Sequence, residues 1–200
     1  MFTHLRPAVV LLALFVALTG LAYPLAITSI AQATMPRMAN GSLIKKDGKV
    51  VGSSLIGQNF AEAKYFHGRP SATSAPDPVD SSKTIDAPYN AANSSGSNLG
   101  PTSQKLFDRV KGDIEKLRAD GIRGPVPADS VTTSASGLDP HISPANALSQ
   151  IPRIAKARGV PEQRVRDLVD ARTEGRALGI FGELRVNVLG LNLALEAIQP

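Results

Sequence analysis

Serine, aspartate and histidine occur close together between residues 134 and 141. Ser134 or Ser136, with Asp139 and His141, would supply the residue types of a nucleophilic triad, in which a carboxylate orients a histidine that activates a serine. The Gly-x-Ser-x-Gly turn that presents the serine in many hydrolases does not accompany them. We therefore predict no catalytic residue in this stretch and interpret it as a connection between elements.

Metal chemistry is poorly supported by the composition. The chain has no cysteine, and its three histidines are His4, His67 and His141. Without cysteine, a zinc site would need histidines and carboxylates at clustered spacings, and none has that spacing. Asp139-Pro140-His141 could form a ligand pair, but a turn that leads into a helix cap is the favoured interpretation. We predict no metal site.

The motifs of ATP hydrolysis are absent from the sequence. The chain has no Gly-x-x-x-x-Gly-Lys-[Ser/Thr] loop to cradle phosphates and no Asp-Lys-Thr-Gly-Thr motif of the phosphorylated aspartate in P-type pumps. If the protein works in transport, other chains must therefore supply the pore and the hydrolysis. We predict that it is not an enzyme by itself.

The segment Tyr65–Ser71 combines two aromatic residues with histidine, arginine and glycine. Tyrosine and arginine are frequent anchors at interfaces, so Tyr65, Phe66, His67 and Arg69 are candidates for docking to a partner. The alternative is a structural loop in which His67 and Arg69 bond to backbone carbonyls. The sequence leaves both readings open.

The composition indicates one modest domain and argues against nucleic-acid binding. The 200 residues are 42% hydrophobic, which suits one domain with a membrane segment. The net charge is +5, but lysines and arginines are spread along the chain among acids. Aromatic residues make up 4% of the chain, which leaves few platforms for stacking bases.

An apolar segment near the N-terminus predicts a transmembrane helix over residues 8–31. No charged residue lies between Arg6 and Arg37, and the apolar centre Ala8–Ala31 would span about 36 Å as a helix. A cleaved signal peptide is the alternative, with a small-x-small site at Ala31–Ala33, but its apolar region would be shorter. Pro24 should kink the helix or loosen one turn. Charge alone leaves the orientation open.

The rest of the chain predicts a single small mixed α+β domain over residues 32–200, behind a short tail at 1–7. A hairpin is expected around Asp47-Gly48, and a polar loop region at about 70–101. The other predicted elements are a helix over 102–119, a strand at 131–133, a helix over 143–158 that Pro152 bends or divides, a helix from Pro161 to Gly175, a strand over 185–189 and a closing helix or turn at 191–198.

A series of motifs resembles the C subunit of the Kdp-type potassium-transporting ATPase from end to end. The motifs are numerous and follow the order found in that family. They are Arg6–Ala8, Thr19–Gly20, Tyr23–Pro24, Ala39–Leu43, Leu55–Phe60, Tyr65–Ser71, Gly96–Pro101, Thr133–Ser143, Gln150–Arg153, Arg185–Val188 and Leu191–Leu193. Any one motif would be weak evidence, but the series makes chance implausible.

The resemblance implies an accessory, non-catalytic subunit of a high-affinity potassium uptake complex. The implied partners are a channel-like potassium-translocating subunit, a P-type ATP-hydrolysing subunit and membrane lipid, with no nucleic acid. The implied location is a bacterial inner membrane, single-pass, with the soluble domain periplasmic. Gly20, Tyr23 and Pro24 in the span join the docking candidates.

The resemblance also implies a contact with nucleotide. Family members have been regarded as catalytic chaperones that raise the ATP affinity of the hydrolysing subunit, through positions that match Ser134, Ser136, Gly137 and Gln150. No tightly bound cofactor is expected, and ATP would be shared with the catalytic subunit. The competing hypotheses are a nucleotide-binding regulator with its domain inside the cell, and a free secreted or membrane-anchored binding domain unrelated to ATP hydrolysis.

Overall fold

The structure is a computed structural model that describes residues 2–198. The chain divides into two compact units, Met1–Ser53 and Ser54–Pro200. By its contacts, the hairpin that follows the apolar helix belongs to the first unit. The domain boundaries expected from the sequence remain predictions.

The first unit begins with one long apolar helix, Leu5–Thr34, of 30 residues. It is built from α1 (Leu5–Phe15), a π-helical segment (Val16–Ala22) and α2 (Tyr23–Thr34). None of its side chains is buried, as expected for a helix that lipid or partner helices would cover. At about 1.5 Å per residue it reaches roughly 45 Å, which exceeds the hydrocarbon thickness of a bilayer.

The prediction that Pro24 loosens the helix is confirmed. Pro24 lies at the start of α2, directly after the π-helical segment. Proline lacks an N–H, and its ring crowds the carbonyl one turn earlier, so a wider turn relieves the clash. The Thr19 hydroxyl donates to the Phe15 carbonyl at 2.7 Å and satisfies part of the loosened backbone.

A short helix α3 (Pro36–Ala39) and an antiparallel hairpin complete the first unit. Strands β1 (Leu43–Lys46) and β2 (Lys49–Ser53) pair through a turn in which Asp47 and Gly48 both have positive φ, at 51° and 76°. This confirms the predicted hairpin, since Asp-Gly tolerates the two left-handed conformations of such a turn.

The core of the second unit lies where three helices pack with a small sheet. The helices are α5 (Pro144–Arg158), α6 (Glu162–Ala171) and α7 (Val188–Leu195), and the strands are β5 (His141–Ile142), β6 (Thr173–Glu174) and β7 (Arg185–Asn187). Strand β7 lies between the other two and pairs antiparallel with both. The core includes Phe66, Ile142, Ile151, Ile154, Val165, Val169, Val186, Leu191 and Leu195.

Local signals explain the bounds of α5. The Ser143 hydroxyl accepts from the Asn146 N–H at 3.1 Å, Pro144 occupies the first turn, and Gly159 ends the helix at φ 68°. The helix is a single element through Pro152, so of the two predicted effects of this proline, a bend or a division, the division does not occur. Helix α4 (Gln104–Ala119) likewise begins after a capping serine, Ser103, close to its predicted bounds.

Three predicted bounds or elements are wrong. Residues 131–133 form no strand, because a 3-10 turn over Ala128–Ser130 continues into a bond from the Thr132 hydroxyl to the Ala128 carbonyl. The predicted strand at 185–189 ends at Asn187, whose side chain caps α7 by accepting from the Gly190 N–H at 2.9 Å. Helix α6 ends at Ala171 rather than at Gly175, and β6 follows it.

The polar region contains a second hairpin of its own, β3 (Ser74–Pro76) with β4 (Thr84–Asp86). Outside this hairpin, side chains of the polar region bond to its backbone carbonyls. The Thr73 hydroxyl donates to the Ala87 carbonyl at 2.6 Å, and the Asn90 amide donates to the Ser74 carbonyl at 2.7 Å. The same serine, threonine and asparagine residues that indicate a loop in the sequence therefore fix its conformation.

Candidate functional site and its family

A cavity of about 450 Å³ lies in the second unit beside the Tyr65–Ser71 segment. Its wall contains Asp113, Lys116 and Leu117 of α4 and Asn146, Gln150 and Arg153 of α5, together with residues of the loops that include His67, Arg69, Ser71 and Tyr89. The predicted docking motif and one of the predicted nucleotide contacts, Gln150, thus meet at one cavity.

Two buried side-chain amides hold the Tyr65–Ser71 segment in place. The Asn192 amide accepts from the Phe66 N–H at 2.8 Å and donates to the Phe66 carbonyl at 2.9 Å. The Gln150 amide does the same for His67, at 2.8 Å and 3.1 Å. Each amide thus bonds both backbone groups of one residue, as a neighbouring strand would. We call this arrangement the amide clamp.

The amide clamp is desolvated and fully bonded. Gln150 is 4% exposed and Asn192 is 2% exposed, while Phe66 is fully buried in the core. The Gln150 amide also donates to the Asn146 side chain at 2.9 Å and accepts from Arg153 at 2.7 Å. Two donated and two accepted bonds use the whole hydrogen-bonding capacity of a glutamine side chain.

Arginines bind the backbone carbonyls around this segment. Arg153 donates to the Tyr65 carbonyl at 3.0 Å, and Arg158 donates to the Lys64 carbonyl at 2.8 Å. Arg69 donates to the carbonyls of Thr132 and Thr133 at 3.4 Å and 3.3 Å. The interpretation of the motif as a structural loop is therefore supported for Arg69.

The His67 ring lies between a backbone carbonyl and a guanidinium group. Its Nε2 lies 3.1 Å from the Glu62 carbonyl oxygen and 3.3 Å from the Arg153 guanidinium. Burial, and then the positive charge of Arg153, lower the pKa of His67 below its ordinary value. These contacts within the unit support a structural role for His67.

Asp139 links the arginine of the motif to the 134–141 stretch. Its carboxylate accepts from Arg69 at 3.0 Å and from the His141 backbone N–H at 3.0 Å. Burial raises the pKa of the Asp139 carboxyl, but the contacts with His141 and Arg69 outweigh burial and leave the pKa below its ordinary value. The Asp139 side chain accepts from the N–H two residues on, as in an Asx turn, although His141 itself belongs to β5, and the predicted helix cap follows at Ser143.

The triad drawn from the sequence does not assemble in the described chain. The Ser136 hydroxyl accepts from the Leu138 N–H at 3.1 Å, and Ser134 is buried at 5% exposure. No hydrogen bond joins either serine to His141 within residues 2–198. The Nδ1 of His141 and the nearer Asp139 oxygen are 3.7 Å apart, too far for the bond that orients a catalytic histidine.

The loop that contains Ser134, Ser136 and Gly137 packs against the polar region. The Ser71 hydroxyl donates to the Gly137 carbonyl at 2.8 Å, and the Ser94 hydroxyl donates to the Ser136 carbonyl at 3.0 Å. Gly137 has φ 68°, and a Cβ there would lie 2.7 Å from the Ser95 carbonyl oxygen. Only glycine fits this position.

Of the four residues predicted to contact nucleotide, one lines the cavity, and the other three belong to the loop that bonds to the cavity-lining residue Ser71. Gln150 lies in the wall of the cavity, whereas Ser134, Ser136 and Gly137 are not among the residues that line it. The nucleotide contact stays a prediction. The predicted docking residues Gly20, Tyr23 and Pro24 lie on the apolar helix of the first unit, where all three are exposed.

Sequence reasoning missed Asn192, which holds the other half of the amide clamp, and Tyr89. The Tyr89 hydroxyl donates to the Arg69 carbonyl at 2.7 Å, and burial raises the pKa of Tyr89 to about 12. The available signal for Asn192 was a lone amide among apolar residues, between Leu191 and Leu195, because a buried polar side chain needs a specific partner.

Replacing Asn192 or Gln150 with alanine is expected to lower the free energy of unfolding by about 2–4 kcal/mol each, because buried backbone groups lose their bonds. Gln163→Ala is the matched control, since Gln163 is exposed and its amide bonds only to Asp167 in the structure; we expect a change below about 0.5 kcal/mol. Urea unfolding of the full chain in detergent measures all three. Losses no greater than the control would contradict the clamp.

The comparisons with known proteins cover nearly the whole chain. A family model described as "K+-transporting ATPase, c chain" matches residues 5–197. A protein of Methylorubrum populi named Potassium-transporting ATPase KdpC subunit is 62% identical over 198 residues, which cover 99% of this chain and 98% of the relative.

Two further relatives carry the same printed name. The protein of Methylobacterium nodulans is 64% identical over 198 residues, covering 99% of this chain and 98% of its own. The protein of Rhodopseudomonas palustris is 62% identical over 199 residues, covering all of both chains. The resemblance seen in the sequence motifs is thereby confirmed, and the chain belongs to the family of K+-transporting ATPase c chains.

Proposed function

We propose that this chain is a non-catalytic accessory subunit of an ATP-driven potassium uptake complex in a bacterial membrane. The observation that carries the proposal is the extent of the similarity. Relatives at 62–64% identity, aligned over at least 98% of both chains, are named KdpC subunits of the potassium-transporting ATPase. Because the match covers the full length, it includes both the apolar helix and the second unit, and one role accounts for the whole chain.

The apolar helix fits the role of a single membrane anchor. It runs for 30 residues from Leu5, and the family match begins at residue 5, so the helix belongs to the family's shared length. No charge lies between Arg6 and Arg37. One helix cannot enclose an ion pathway, so the translocating and ATP-hydrolysing functions belong to partner chains.

The proposed partners are the channel-like potassium-translocating subunit and the P-type ATP-hydrolysing subunit, with lipid around the anchor. The π-helical segment beside Pro24 is the proposed helix-docking face. Gly20 lies within it, and a Cβ there would meet nothing closer than Val16 at 4.0 Å, so a neighbouring backbone can approach closely.

The second unit supports a scaffolding role better than chemistry of its own. Two polar side chains of the cavity wall are already hydrogen-bonded within the unit: Gln150 makes four bonds, and Arg153 donates to backbone carbonyls. Among residues 2–198, no group of three or more histidine, cysteine or acidic side chains could hold a metal ion. Because these polar groups bond within the unit, they hold its surface in one conformation, to which a partner can bind.

A role in raising the ATP affinity of the hydrolysing subunit is a separate and weaker proposal. It rests on the match of Ser134, Ser136, Gly137 and Gln150 to family positions. It would require nucleotide to reach two places, the cavity at Gln150 and the loop at Ser134–Gly137. A periplasmic domain, which we propose, would not meet cellular ATP.

Purification through a C-terminal tag, in mild detergent from potassium-starved cells, tests the main proposal. We expect a P-type ATPase chain and a multi-span chain to co-purify in fixed ratio, because the anchor holds this chain against them in the membrane. A variant without residues 1–33 should lose these partners. An intact chain that emerges alone would contradict the proposal, and a mature mass that lacks the first 33 residues would support the secreted alternative.

Labelling of single cysteines in spheroplasts tests the proposed orientation, since the natural chain has none. Val79 is 94% exposed in the second unit, and Thr3 precedes the span. A membrane-impermeant maleimide should label Val79→Cys in intact spheroplasts and label Thr3→Cys only after lysis. The reverse pattern would place the domain in the cytoplasm and revive the nucleotide-binding hypothesis.

A further inference from the structure

The hairpin that follows the apolar helix presents an excess of positive charge. Four basic side chains lie on it or just before it, and all are exposed; they are Arg37, Lys45, Lys46 and Lys49. Basic residues occur throughout the chain, but acidic residues do not, since Asp47 is the only one before Glu62. Four basic residues and one acid give residues 35–61 a net charge of +3.

This positive charge is concentrated near the turn of the hairpin. The register of the strands places Lys46 directly opposite Lys49, with Lys45 next along β1. Within residues 2–198, Arg37, Lys45 and Lys49 form no ion pair with an acidic side chain. The hairpin therefore offers its charge to an anionic surface outside the chain.

Side-chain bonds hold both ends of the hairpin beside the last turn of α2. Gln32, in that turn, donates to the Asn40 side chain at 3.2 Å, and Asn40 donates back to Gln32 at 3.0 Å. The Gly41 carbonyl, one residue later, accepts from the Ser53 hydroxyl at 2.7 Å, so the end of β2 lies at the same place. The apolar segment ends at Ala31, and a helix that spans a bilayer reaches the lipid headgroups at that point.

Exposed apolar side chains lie among the basic ones. Met38 is 68% exposed, Val50 is 54% exposed and Leu43 is 47% exposed. Val50 lies directly opposite Lys45 in the hairpin register. Segments that lie in the bilayer interface combine side chains of these two kinds, because the apolar ones enter the acyl boundary while lysine and arginine reach the headgroups.

The basic residues are unexpected on the side of the membrane that we propose for the second unit. Lysine and arginine near the end of a span favour the cytoplasmic side, so basic residues directly after this span oppose a periplasmic orientation. A role at the membrane surface accounts for charges that membrane insertion disfavours there.

We propose that the basic hairpin, residues 43–53 together with Arg37, binds anionic phospholipid headgroups of the bilayer that its own anchor spans. Lipid is the occupant that matches both features, since anionic headgroups attract the lysines and the acyl boundary accepts the apolar side chains. Each basic residue near an anionic surface strengthens binding about fivefold. The inference rests on the membrane anchor of the proposed function and on no potassium-transport partner.

Lipid-selective quenching in bilayer nanodiscs tests this binding. A fluorophore on Val50→Cys of the full chain, which has no natural cysteine, would report quenching by nitroxide-labelled lipids with either an anionic or a zwitterionic headgroup, at equal fractions. We expect the anionic lipid to quench at least about threefold more strongly at low salt. This excess should fall in about 1 M salt, where the screening length is about 3 Å. Equal quenching by the two lipids would overturn the proposal.

Variants of the same labelled chain separate charge from a change in hairpin structure. Lys45→Gln with Lys49→Gln should remove most of the excess, because about fivefold is lost with each lysine, and arginine at both positions should retain it. Lys105→Gln with Lys111→Gln is the matched control, since these lysines are exposed on α4 of the second unit and the loss of charge is the same. Loss of the excess in the arginine variant, or an equal loss in the α4 control, would show that the hairpin charge is not responsible.

The same measurement on the assembled complex separates lipid from a protein occupant. Excess quenching by the anionic lipid that persists in the complex supports the proposal. If the excess occurs in the free chain and disappears in the complex, another subunit covers the hairpin, so the lipid proposal is overturned while the accessory role stands. If no other subunit co-purifies, the proposed function fails, and quenching in the free chain decides the lipid binding.

Discussion

The amide clamp is the constraint on which the second unit depends. A segment with no strand partner must still bond its buried N–H and carbonyl groups, because each unbonded group costs about 1–3 kcal/mol. Asn192 and Gln150 bond all four such groups on Phe66 and His67. They lie on α7 and α5, so the clamp ties the segment to two core helices at once.

From the clamp onward, the same segment organises the loops that follow it. Arg69 reaches the Thr132 and Thr133 carbonyls and the Asp139 carboxylate, and Ser71 reaches the Gly137 carbonyl. Thr73 holds the polar region through Ala87. Side chains of this one extended stretch therefore form the hydrogen bonds that a larger sheet would otherwise supply. These bonds explain how a unit with such short strands keeps its loops in place.

Elements governed by neighbouring residues were predictable from the sequence. The long apolar helix, the Asp47-Gly48 hairpin and the capped start of α5 depend on the composition of, or contacts within, a short stretch of chain, and all three occur as expected. The predicted strand at 131–133 rested on β-branched propensity, which the surrounding structure overrides. Long-range geometry explains the other errors, as in Asn187, which ends its strand in order to cap α7.

The candidate site was only partly predictable for the same reason. The Tyr65–Ser71 motif and Gln150 stand out in the sequence, but the clamp joins residues 83 and 126 positions apart, and no local pattern gives that pairing.

Hydrogen exchange at single-residue resolution in the full chain tests the clamp most directly. If the clamp holds as described, the amides of Phe66 and His67 should exchange as slowly as those of the α5 core, because they open only when the core opens. If they exchange on the timescale of exposed loop amides while α5 stays protected, the two side-chain amides do not hold the segment, and the account of this fold is wrong.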